Sequence, residues 1–101
     1  MVVFEWDPSK SRINRRKHGI SFDMSRRVFE DPDALSVHDR IEDGERRWRT
    51  LGMVGGVLLV LVAHSVRQEG DDEVIRVISA RRADRKERRR YEEARQVRCT
   101  R

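Results

Sequence analysis

Apolar residues are bunched along this chain rather than spread, and they fall mainly in residues 51–63 and 74–80. Residues 57–63 read VLLVLVA, an unbroken run expected of a central strand covered on both faces. Gly55-Gly56 just before it predicts a two-residue hairpin turn, since both positions can take positive φ, and makes residues 46–54 the partner strand. A charged turn over 68–72 around Gly70 leads to a third strand over 73–81. Residues 2–6 alternate weakly and predict a short edge strand.

Helix signals fill the gaps. Asp7-Pro8 pairs a side-chain cap with proline at the first helical position. That helix runs to about His18, where Gly19 can end it in a left-handed turn. Ser21 caps a second helix with Met24, Val28 and Phe29 on one face, and Asp31-Pro32 stops it. Residues 35–38 predict a short strand, and the polar, acidic residues 41–45 a loop. Asp84 followed by Glu87 is a capping-box pattern that starts a C-terminal helix. The predicted fold is α+β: a small antiparallel sheet with two N-terminal helices and a C-terminal basic helix. A chain of 101 residues supports one domain, assigned to 1–95 with a tail at 96–101.

Charge changes the picture. Arginine supplies 20 of the 23 cations, and the net charge is +5. Codon bias can raise arginine overall but does not cluster it. Residues 81–90 hold seven cations and two acids, so a strand hands over directly to a cationic helix. The natural ligand of such a field is a polyphosphate backbone. The single cysteine, Cys99, allows no disulfide within the chain, which fits a reducing compartment. The start, MVVFEWD, is not a signal peptide, and the longest apolar run is too short to span a bilayer. A soluble, cytoplasmic protein is expected.

The turns allow a register estimate. If Val54 pairs with Val57, Arg47 sits opposite His64; if the next turn centres on Gly70, His64 lies opposite Arg76. One face of the sheet then reads Leu51, Met53, Leu58, Val60, Val62 and Ile78 at one end, with Arg47, Arg49, His64 and Arg76 at the other. A slip of one residue would separate these groups. RNA carries its own nucleophile, the 2′-hydroxyl, so its cleavage needs a base, an acid and cations around phosphorus, with no metal or other cofactor. A histidine ringed by arginines meets that need. Each residue also has a plainer reading. His64 is then an ordinary sheet residue, Arg67 solvated surface, and Arg76 the partner of a carboxylate. Tyr91 is a helix anchor, and Lys17-His18-Gly19 a helix end. No metal-ligand spacing and no phosphate-binding glycine loop occur.

Several segments together resemble the BrnT family of type II toxins: FEWD from Phe4, NRRKHGISF from Asn14, Asp31-Pro32, RRWRTLGMV from Arg46, HSVR from His64, and IRVISARRADRKERRRYE from Ile75. The resemblance covers about residues 3–93 in matching order and spacing. It implies a RelE-like ribonuclease fold and a metal-independent endoribonuclease that cleaves mRNA and inhibits translation. It also implies a cognate BrnA-type ribbon-helix-helix antitoxin, a heteromeric complex, and contact with operator DNA only through that antitoxin. Carried to matching positions, it makes His64 the acid/base and Arg67, Arg76 and Arg81 phosphate and transition-state binders. Glu87 and Tyr91 would close the site, and Arg47, Arg49, Arg82 and Arg85 would bind RNA. The alternatives from the residues alone are a non-catalytic nucleic-acid-binding module and a subunit whose basic helix docks an acidic partner.

Overall fold

The computed structural model describes residues 1–99, and the side chains of all of these but 98 and 99. Its elements are β1 (Val2–Glu5), α1 (Pro8–His18), α2 (Phe22–Ser25), a 3-10 turn (Arg26–Glu30), β2 (Leu35–Glu42), β3 (Glu45–Val54), β4 (Leu58–Glu69), β5 (Asp72–Arg82) and α3 (Arg85–Cys99). They form an α+β fold around one five-stranded sheet in the order β1-β5-β4-β3-β2.

The predicted caps are present. The Asp7 carboxylate accepts from Ser9 N at 2.8 Å, and Ser21 Oγ accepts from Met24 N at 3.1 Å. Gly19 closes α1 with φ 76°, a conformation glycine adopts without steric cost. At α3, Asp84 Oδ1 accepts from Glu87 N and Glu87 Oε1 from Asp84 N, the two halves of the capping box.

Four expectations are corrected. The sheet is mixed, because β1 runs parallel to β5 while the other pairs are antiparallel. Alternation identifies a strand but carries no direction, and the partner of β1 lies at the far end of the chain. Residues 41–45 are not a loop: β2 continues to Glu42, and Asp43-Gly44 (φ 53° and 76°) turns tightly into β3. As a solvated edge strand, β2 lacks the apolar alternation that would have revealed it. Met24 is exposed; Phe22 and Val28 fill its expected place in the core. The helix α3 also runs through the boundary drawn at residue 95, so residues 96–99 continue it while 100–101 lie outside the described residues.

The two faces of the sheet differ. One is covered by α1, α2 and the 3-10 turn, whose Ile20, Phe22 and Val28 pack on Val54, Val60, Val62, Val77 and Ala80. Gly52 lets this layer approach: a Cβ there would lie 2.7 Å from Val28 Cγ1. The other face carries α3 over one end only, where Tyr91 packs with Leu51 and Leu59. The rest of that face is open. No helix among the described residues is long and apolar enough to cross a membrane.

Candidate nucleic-acid interface

Strand register decides which side chains share the open face. Gly55 and Gly56 both take positive φ, Val54 O accepts from Val57 N, and Val57 stays outside the ladder as an extra turn residue. Val54 therefore pairs with Leu58, one position later than expected, and Arg47 falls opposite Ser65. The next turn shifts by one as well, pairing Glu69 with Asp72 and Ser65 with Arg76. The two arginines expected to flank His64 flank Ser65 instead. A cross-strand row Arg47–Ser65–Arg76–Glu5 runs across the open face.

His64 belongs to the other face, and the expectation that it shares a surface with Arg47, Arg49 and Arg76 is corrected. It lies opposite Trp48 and Val77, 3% exposed. The Phe29 ring meets it edge-on at 4.9 Å. Its Nε2 shares a hydrogen bond of 2.7 Å with Thr50 Oγ1, which in turn bonds Ser36 Oγ at 2.8 Å. Burial pushes the imidazole pKa down to about 4, so it is neutral at physiological pH. An imidazole sealed beneath a phenylalanine does not reach a ribose hydroxyl on the opposite side of the sheet.

The open face gathers most of the predicted arginines. Arg47, Arg49, Arg67, Arg76 and Arg81 alternate onto it from β3, β4 and β5. Near β1, Glu5 engages two of them: its carboxylate accepts two hydrogen bonds from Arg67 and one, at 3.3 Å, from Arg76. The Arg67 bond, with Arg76 assisting, holds Glu5 below the usual carboxylate range. Glu5, then Glu69, raises the Arg67 pKa further. The carboxylate-partner reading of Arg76 thus holds in the free chain.

At the α3 end, Arg81 Nη1 and Nη2 donate to Glu87 Oε1 and Oε2, both at 2.9 Å. This fork fixes the guanidinium plane and leaves the Arg81 side chain 40% exposed. Arg81 holds Glu87 below its ordinary pKa, and Glu87 raises that of Arg81. Glu87 therefore orients an arginine and caps a helix. Arg49 is exposed and has no carboxylate at ion-pair distance among the described residues.

Two hollows meet at Arg49 and Leu61. One lies between β2, β3 and the start of α3, with Val37, Lys86, Glu87 and Arg90 on its walls. The other continues toward the free edge of β5, over Ala63, Ser79 and Arg81, and ends at His18. Together they line a groove across the open face, with Leu51, Leu61, Ala63 and Ser79 from the strands and with Arg49, Arg81, Lys86 and Arg90 beside the carboxylates of Asp84 and Glu87.

Three predicted residues sit elsewhere. Tyr91 is 2% exposed and its hydroxyl donates to Asp31 Oδ2 at 2.6 Å, so it anchors α3 rather than closing a site. Burial and that carboxylate push its pKa up to about 12. Burial acts to raise the Asp31 pKa, but hydrogen bonds from Tyr91, Met53 N and Asp33 N outweigh it and hold the group low. Arg82 alternates to the helix-covered side at the strand end, and Arg85 points to solvent from the first turn of α3. Sequence reasoning passed over His18, Lys86 and Arg90 as groove residues. Lys86 and Arg90 are four apart on a helix and so share a face, a signal that was available.

Comparison with known proteins agrees with this architecture. The family model of the ribonuclease toxin BrnT of type II toxin-antitoxin systems matches residues 6–87. The crystal structure of the Brucella abortus ribonuclease toxin BrnT superimposes with a TM-score of 0.62 at 23% identity, covering 84% of this chain and 99% of that one. No sequence among the curated proteins matches.

Proposed function

The chain belongs to the BrnT family of ribonuclease toxins of type II toxin-antitoxin systems, and on that premise we propose that the arginine groove on its open face is where RNA is bound and cut. One observation carries the reading: the three-residue turn over 55–57, the two-residue turn Gly70-Asp71 and the bulge at Ile78 together set the registers that put Arg47, Arg49, Arg67, Arg76 and Arg81 on the single face left open by the helices. Bidentate guanidinium groups suit phosphate oxygens and the charge that builds on phosphorus in the transition state. The 2′-hydroxyl attacks phosphorus, the 5′-oxygen leaves, and the products are a 2′,3′-cyclic phosphate and a 5′-hydroxyl. No metal is needed for this route. Arg81, held in plane by Glu87, stabilises the phosphorane, and the exposed Arg49 grips an adjacent phosphate. Arg67 and Arg76 exchange Glu5 for phosphate when RNA arrives. His64 supports the sheet from beneath.

Cleavage of mRNA by this groove inhibits translation in the bacterial cytoplasm, and the fold is of the RelE-like kind. Type II systems pair the toxin with a protein antitoxin. We assign a BrnA-like ribbon-helix-helix protein to that role, with the heteromeric complex reaching operator DNA through the antitoxin. The antitoxin neutralises the toxin by covering the groove. The test is incubation of the purified chain with RNA in excess chelator, with product ends identified. Fragments ending in cyclic phosphate are expected, and their loss on adding antitoxin. Intact RNA without antitoxin, or cutting that requires divalent metal, contradicts the reading.

A further inference from the structure

Guanidinium groups can hold phosphate but cannot shuttle protons, and the histidine expected to do so, His64, is buried on the other side. A different histidine lines the groove. His18 is the last residue of α1, which packs on the helix-covered side of the sheet. Beyond Arg76, the outer edge of β5, the one away from β4, has no strand beside it among the described residues, since β1 pairs only with Glu73–Arg76. Here α1 reaches the sheet edge. The buried Asn14 clamps it there: its Nδ2 donates to Ala80 O and Ile20 O, both at 2.8 Å, and its Oδ1 accepts from Ala80 N at 3.2 Å. Asn14 takes the place of a neighbouring strand for Ala80.

His18 sits between two fixed points, Asn14 one turn before it and Ile20, 1% exposed, two residues after it. Gly19 turns the chain away in the left-handed conformation. The half-buried imidazole is thereby held at the rim, where it lines the same hollow as Arg49, Ala63, Ser79 and Arg81. The ladder shifts register at this level: Ala63 pairs with Ser79 and His64 with Val77, leaving Ile78 as an extra residue. Bulges of this kind re-aim side chains beside functional sites.

Resting on the ribonuclease reading, we propose that His18 is a catalytic proton-transfer residue of the groove. As a base, its neutral imidazole takes the 2′-hydroxyl proton as the O–P bond forms. The 5′-oxygen leaves with the electron pair of the broken P–O bond and takes a proton from water or from the imidazolium just formed. Atoms and charge balance, and the arginines carry the charge on the phosphoryl oxygens throughout.

The experiment uses the full purified chain and a short RNA oligonucleotide. His18→Gln keeps a hydrogen-bonding amide but cannot shuttle a proton. It is expected to slow cleavage by about 100-fold or more, the usual scale of general acid–base catalysis, while RNA affinity changes less than about threefold. His18→Ala is expected to be partly rescued by added imidazole. Because either substitution could loosen α1, a measurement on the unaltered chain accompanies them. A 2′-O-methyl oligonucleotide, which binds but cannot react, is expected to shift the His18 ring signals in NMR and leave those of His64 in place. Cleavage by His18→Gln within about threefold of the parent, or His18 signals unmoved by the oligonucleotide, overturns the assignment to His18 alone. A parent chain that cuts no RNA overturns the ribonuclease reading and this proposal with it.

Discussion

Thr50 Oγ1 lies 2.7 Å from His64 Nε2 inside the protein, and this contact links β3 to β4 on the helix-covered side of the sheet. The other ring nitrogen, Nδ1, is buried without a hydrogen-bond partner among the described residues. A charged imidazole there would lose water and gain no carboxylate, which is why its pKa falls to about 4. The unfolded chain takes up a proton near the ordinary histidine value, while the folded chain resists until much lower pH. Stability is therefore intact above about pH 6.5 and falls as pH drops toward 4. Linkage puts the loss between pH 7.5 and 5 at about 2 kcal/mol. Chemical denaturation at the two pH values measures it. In His64→Ala this component of the pH dependence disappears, although the variant is less stable at both.

Tyr91 and Asp31 join α3 to the segment that follows the 3-10 turn. Tyr91→Phe leaves Asp31 short of a donor in a half-buried site and removes a hydrogen bond to a charged acceptor. A loss of about 1.5–3 kcal/mol is expected. Denaturant midpoints measure it. RNA cleavage by the folded fraction should be unchanged, because the ring lies under the helix and away from the groove.

Gly52 faces the 3-10 turn so closely that a methyl group would lie 3.0 Å from Val28 O as well as against its side chain. Gly52→Ala must push a fully buried valine and its backbone outward. Overpacking of this kind typically costs about 1–3 kcal/mol. Thermal unfolding checks this, and a variant as stable as the parent would mean that the helical layer sits less tightly than described.

Glu87 connects helix capping to the site, since it accepts from both Arg81 and Asp84 N. Glu87→Ala removes half of the capping box, with a stability loss of about 1 kcal/mol, and frees Arg81 to rotate. Cleavage should fall more than that loss explains. Arg81→Lys should not restore the rate of Arg81→Ala, because an ammonium cannot replace the planar two-point grip.

Much of the fold could be read from local chemistry. Asp7-Pro8, Gly19, Ser21 and the Asp84–Glu87 pair act through neighbouring backbone groups, and each cap forms as its residues predict. The apolar runs located β3, β4 and β5. The direction of β1 and the length of β2 depend on contacts across the chain or on solvated edges, where no apolar pattern forms. The site was half legible. Arginine clustering pointed to the open face, yet Val57, a single extra turn residue, puts His64 on the opposite side from Arg47 and Arg49. Had Val57 paired with Val54, His64 would lie opposite Arg47. The Asp43-Gly44 dipeptide was a hairpin signal that the surrounding polar residues concealed.

The central claim is that the open arginine face, and not positive charge in general, cuts RNA. The most direct measurement compares cleavage rates, in chelator, of the parent chain, Arg49→Ala/Arg81→Ala, and Arg12→Ala/Arg16→Ala. The last pair lies on the exposed side of α1 and removes the same charge. The groove variant should be slower by about 100-fold or more, with the α1 variant close to the parent. Equal rates in the two double variants would contradict the claim.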